Sequence, residues 1–141
     1  MIEYIVFFFL IVTGIIFYMK SSKWEVEPNN SNEFAMGYEL SKCESPIETR
    51  VCRALWANDI PVKSQYRVGS YRIDLAIPSI RLAIECDGKA FHSTPAQKAH
   101  DRKRTAYLKR QGWKVIRFSG SQIVRDIGKV INRVENEISK R

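Results

Sequence analysis

The sequence predicts an α/β domain, a mixed sheet flanked by helices in the order α-β-β-β-α-β-α. Three observations carry this. Residues 71–77, 82–87 and 114–119 are short, Ile- and Leu-rich or β-branched runs bounded by turn residues, as strands are. Three other segments space their apolar residues as helices do, and each starts or stops at a cap signal. About a hundred residues remain once the N-terminal region is set aside, enough for one domain with a modest core.

The chain has 141 residues and opens on an apolar run, residues 4–19, with no charged side chain, followed by Lys20 and Lys23. That is the short end of a membrane span. Glu3 precedes it where a signal peptide carries basic residues, and no small-residue cleavage pattern follows, so an uncleaved anchor over residues 2–20 is expected. The lysines on its C-terminal side predict a single pass through the cell membrane with the following domain in the cytoplasm. Tyr4, Tyr18 and Trp24 suit the interface. Residues 21–42 are polar, with Pro28 and an Asn/Ser cluster, and read as a linker; Phe34, Met36, Tyr38 and Leu40 alternate weakly there. The domain proper is residues 43–141.

Ser45, Pro46 and Glu48 announce its first helix: an N-cap, a first-turn proline and a capping-box acid. Ile47, Val51, Leu55 and Trp56 form its apolar stripe. Residues 60–68 return as a strand, ending at Gly69-Ser70. The hairpin 71–87 follows. A helix near residues 95–110 carries a basic run, with Ala99, Ala106, Tyr107 and Leu108 inward and Asp101 placed to pair with Arg104 on its surface. Gly112 ends it. After strand 114–119, Gly120-Ser121 opens a last helix whose Ile123, Ile127, Val130, Ile131, Val134 and Ile138 read as core. Cys43, Cys52 and Cys86 lack zinc-ligand spacing and are expected to be free thiols. No phosphate-cradling glycine loop, nucleophile triad or dinucleotide fingerprint is present.

The hairpin is where chemistry is expected. With Pro78 facing Arg81, Asp74 lies opposite Glu85, roughly 5 Å away. Alternation then places Tyr71, Ile73, Leu75, Ile77, Leu82, Ile84 and Cys86 on one face, and Arg72, Asp74, Ala76, Ala83, Glu85 and Asp87 on the other. Carboxylates so close repel unless a cation lies between them, which suits a divalent metal. A solvated edge with Arg72 and Arg81 as partners gives the same pattern. Glu48 has the cap as a sufficient role, with contact to a metal through water as the alternative.

Net charge is +8. Lys98, Arg102, Lys103, Arg104, Lys109, Arg110, Lys114 and Arg117 cluster with only Asp101 among them, the footprint of a phosphate-binding surface. A solvated helix face and attraction to a membrane surface are the alternatives.

The pieces SPIE (from Ser45), RID (from Arg72), IECDG (from Ile84), His92, Asp101-x-x-Arg104 and GWKVIRF (from Gly112) occur in one order. Together they resemble the DUF559 group of the PD-(D/E)xK nuclease superfamily, relatives of the very-short-patch-repair endonucleases. The resemblance implies a restriction-endonuclease-like fold and a Mg²⁺-dependent endonuclease, with Mn²⁺ able to substitute and DNA the favoured substrate. It places the metal on Asp74 and Glu85, with the carbonyl of Cys86 as a further ligand. Asp87 stands where most of the superfamily has a catalytic lysine; Lys89 is near enough to replace it, and His92 matches a histidine implicated in the repair enzymes. Glu48 matches a helix glutamate there. Lys98, Arg102, Lys103, Arg104 and Lys109 would hold nucleic acid. The reading from a different class is a non-catalytic module that tethers nucleic acid to the membrane.

Overall fold

The computed structural model describes residues 11–13, 15, 30–88 and 94–140. The chain divides into two compact units, Met1–Glu33 and Phe34–Arg141. In the first, the described residues 11–13 and 15 are helical. The expected anchor lies mostly outside the described residues; among those described, no helix is long and apolar enough to cross a membrane.

The second unit holds a four-stranded sheet in the order β1 (Lys63–Val68), β2 (Tyr71–Ile77), β3 (Leu82–Asp87), β4 (Lys114–Ser119). β1, β2 and β3 pair antiparallel, and β4 runs parallel to β3. A parallel return needs a crossover. Helix α3 (Pro95–Arg110) supplies it, capped by Thr94 and Gln97. The mixed α/β order expected from the sequence is present. The remaining helices are α1 (Asn30–Ser41), α2 (Pro46–Trp56), α4 (Gly120–Arg125) and α5 (Ile127–Ile138).

The larger core packs Leu75, Ile77, Leu82, Ile84, Ile116 and Phe118 of the sheet against Val51, Cys52 and Leu55 of α2 and Val130, Ile131 and Val134 of α5. The smaller core, on the α3 side, joins Ile73, Ala76 and Ala83 to Leu108 and Trp113. Small Ala76 and Ala83 leave room there for those two large side chains.

Four expectations need correction. Residues 30–41, read as linker, are helical: α1 turns Glu39 inward, where its carboxylate accepts Ser64 N–H at 2.7 Å and pairs with Lys42 and Lys63, and it leaves Phe34 and Tyr38 exposed. β1 starts at Lys63, not residue 60; Pro61 has no N–H for a ladder, though Ile60 and Val62 are buried. The last helix is two, because Asp126 leaves helical geometry and its Oδ1 caps α5 by accepting Lys129 N–H at 3.1 Å. Tyr71 and Ile73 do not share a face with Leu75. Ile73 belongs to the α3-side core, and Tyr71 lies beside Tyr107 of α3, with ring centroids 5.2 Å apart.

Candidate active site

That fourth correction locates the site. β1 and β2 pair at Ser64–Leu75 and again at Tyr66–Ile73, and Gln65 and Asp74 between them drop out of the ladder. Gln65 sits at φ +52, a left-handed conformation that is costly for a residue with a side chain. Both strands change face at this point: Ser64 is buried beside Cys52 of α2, whereas Tyr66 stacks near Trp113 on the other side. Here Asp74 turns to the Cys86 N–H of β3 and Gln65 to Glu48 of α2.

The β2–β3 register is the expected one. Ile77–Leu82, Ala76–Ala83 and Leu75–Ile84 pair, and Asp74 and Glu85 come next along their strands, just past the last ladder pair. There the side chain replaces the ladder: Asp74 Oδ2 accepts Cys86 N–H at 2.8 Å. The N–H and C=O of one strand residue face the same neighbour, so the Cys86 carbonyl lies on the side of Asp74 too.

Glu85 is buried, and its two oxygens take the Arg104 guanidinium of α3 at 2.8 and 2.6 Å. The same Arg104 nitrogen donates to the Arg72 carbonyl at 2.5 Å. The expected Asp101–Arg104 surface pair is thus replaced by an inward one, since a buried carboxylate gains more from a guanidinium than an exposed one does. Even so, burial first and the Asp74 charge second push Glu85 up from 4.5 to about 7, outweighing Arg104. Asp74 is also raised, by burial and then by the charges of Glu48 and Asp87, against the pull of Cys86 N–H and Arg104. Two adjacent carboxylates that both resist ionising form an under-neutralised acid pair.

Glu48 closes the site from the N-terminus of α2. Its carboxylate accepts from Ser45 Oγ at 2.8 Å, Glu44 N–H at 3.0 Å and Gln65 Nε2 at 2.7 Å. Ser45 Oγ caps α2 by accepting Glu48 N–H as expected, but the Glu48 carboxylate reaches Glu44 N–H and not the Ser45 N–H that a capping box would use, and Gln65 ties it to β1. Asp87 is exposed at the end of β3. Burial and the surrounding carboxylates raise the Cys86 thiol, which therefore stays protonated. The expected residues Lys89 and His92 lie outside the described residues. Lys98, Arg102, Lys103 and Lys109 are exposed on α3. All three cysteines are free, as expected.

Two roles escaped sequence reading. Gln65 looked like one more strand residue, and a polar amide mid-strand was its only signal. Arg117 of β4 pairs in register with Glu85 and helps hold its charge, an effect of parallel pairing that linear spacing hides.

Among the described residues, no three His, Cys, Asp or Glu side chains gather closely enough to hold a metal ion. Magnesium asks for less: it keeps several waters and takes one or two carboxylates. Asp74, Glu85 and the Cys86 carbonyl are all hard oxygen donors, and an acid pair raised by burial and by neighbouring carboxylates is what such a cation would relieve. The donor set fits a magnesium ion.

A mixed sheet with a carboxylate pair at the mouth of a strand hairpin, backed by an arginine-bearing crossover helix, defines a nuclease-like α/β domain. The REase_MTES_1575 family model matches residues 47–138, and the chain belongs to that restriction-endonuclease-like family. Protein YcjD of Escherichia coli (strain K12) is 34% identical over 92 residues, which cover 65% of this chain and 76% of YcjD. A Haemophilus influenzae protein is 34% identical over 74 residues, covering 52% of this chain and 45% of its own length. Among solved structures, the catalytic domain of homing endonuclease I-Bth0305I superposes with a TM-score of 0.55 at 23% identity, over 65% of this chain and 92% of that one. That last likeness is one of fold.

Proposed function

We propose that this protein is a Mg²⁺-dependent endonuclease that hydrolyses phosphodiester bonds, with DNA as substrate. The observation that supports it best is the under-neutralised pair Asp74 and Glu85 in a chain of a restriction-endonuclease-like family. Asp74 and Glu85, with the Cys86 carbonyl, would hold the ion, which when bound polarises a phosphate and lowers the pKa of an attacking water. The chain's own residues set the rest. Cys86 N–H fixes the rotamer of Asp74. Arg104 orients Glu85 and holds part of its charge until the cation arrives. Gln65 and Glu48 form a polar wall beside the pair. Asp87, exposed at the strand end, or His92 is proposed to orient or deprotonate the water, and Lys89 to neutralise charge on the phosphate. The finer kinship with the DUF559 group and the very-short-patch-repair enzymes belongs to this proposal, as do manganese substitution, an N-terminal bilayer anchor and a cytoplasmic active domain.

Plasmid cleavage tests it. The full chain should fragment plasmid with magnesium and fail with chelator, and Asp74→Asn should bind DNA without cutting it. A protein that retards plasmid and never shortens it under any divalent ion is instead a nucleic-acid-binding module, the reading that Asp87 in place of lysine allows.

A further inference from the structure

β4 ends the sheet, and along its outer edge runs a groove of about 690 Å³ between that strand, α4 and α5. Arg117, Arg125, Lys129 and Arg133 line it, with Asp126 as the one acid in the lining. Asp126 is already engaged: Oδ1 caps α5 and Oδ2 pairs with Lys129 at 3.2 Å. Arg133 reaches Glu137 at 3.5 Å, and Arg117 donates to Thr105 Oγ1 at 2.8 Å. Arg125 and Lys129 are exposed. Four cations against one acid leave this concave surface net positive and focus positive potential, which a convex, solvated helix face does not.

Arg117 joins this groove to the acid pair. It sits in register with Glu85 on the neighbouring strand. A polymer held with one phosphate at Asp74 and Glu85 therefore meets the next cations along β4. Lys129 and Arg133, one helical turn apart on α5, continue the line. We infer that the β4-edge groove is a second substrate subsite, in which Arg117, Arg125, Lys129 and Arg133 bind backbone phosphates of the nucleic acid flanking the scissile bond. This rests on the nuclease reading above and is separate from the basic face of α3. The contacts go to phosphate, so they set affinity and register, not base preference.

The test is fluorescence anisotropy of the full chain, in mild detergent, with a short labelled DNA duplex and chelator present. Arg125→Gln with Lys129→Gln leaves the Glu137 pairs untouched. It should weaken binding about tenfold or more at low salt and flatten the slope of log K against log salt by about 2. Adding Arg133→Gln should deepen both effects. Arg53→Gln with Arg67→Gln, exposed charges on α2 and on β1 at the opposite edge, should leave both near the parent. Circular dichroism confirms that each variant is folded. Equal losses in the two doubles, or no loss in the groove double, overturn the subsite while parent binding keeps the nuclease reading intact. A parent that binds no DNA overturns both.

Discussion

Two of the places where the second unit buries carboxylates treat them oppositely. Beside α1, Glu39 is held well supplied: burial pulls it up, but Lys42, the Ser64 N–H and Lys63 outweigh burial and keep it below the usual glutamate range. At the end of β2 and β3, Glu85 and Asp74 share Arg104 between them, and both rise. Glu39 is a structural acid with its charge matched. In the acid pair, burial and neighbouring carboxylates outweigh the one arginine, the imbalance that the proposed cation would offset.

The largest expected difference is in catalysis. Asp74→Asn should reduce plasmid cleavage by about three orders of magnitude or more, on the order of 4 kcal/mol of transition-state stabilisation, while Glu39→Gln should leave it near the parent. Comparable losses in both variants would erase the distinction between the two acids.

Next is the pH dependence of stability. Glu85 is raised from 4.5 to about 7, so its contribution is fully present below 4.5 and is lost as pH rises through about 7. That rise is worth on the order of 3 kcal/mol. Urea unfolding of Glu85→Gln and parent without divalent ions should show the difference swinging toward the variant by this amount between those limits. Magnesium should flatten the swing by favouring the ionised pair. Glu39 acts with the opposite sign: its contribution is present above its unfolded value of 4.5 and is lost as pH falls through the lower folded value. A parent whose stability relative to Glu85→Gln ignores pH would remove the imbalance.

Glu39→Ala should cost about 2–3 kcal/mol, because the buried Ser64 N–H loses its acceptor. Denaturant midpoints measure this, and cleavage per folded molecule should hold. The smallest effect is expected at Gln65→Gly. Glycine relieves the left-handed backbone, so stability should change by no more than about 1 kcal/mol. Losing the amide that holds the Glu48 carboxylate should lower cleavage about tenfold. A stability loss with unchanged cleavage would make Gln65 merely structural.

Much of this was legible in the chain. Pro78 and Arg81 fixed the hairpin length, and the hairpin length fixed the register from Ile77–Leu82 to Leu75–Ile84, which brings Asp74 and Glu85 to neighbouring places on the two strands. Ser45 and Pro46 located the start of α2, and Gly112 located the end of α3. The face switch was not legible, because a period of two assumes an unbroken ladder, and Gln65 breaks it with a backbone angle that no residue pattern announces. The inward turn of Arg104 was hidden for a related reason. A long side chain pairs locally with Asp101 unless a buried carboxylate lies within reach, and only the packing of α3 on the sheet brings Glu85 there.

By itself, then, the sequence determined the elements, their order and the meeting of two acids, since turns, caps and strand register are short-range properties. Only the tertiary structure decided how those acids are charged, which arginine answers them and that a basic groove follows β4. Those depend on burial and on neighbours far apart in the chain, and desolvation acts on position in space, not on position in sequence.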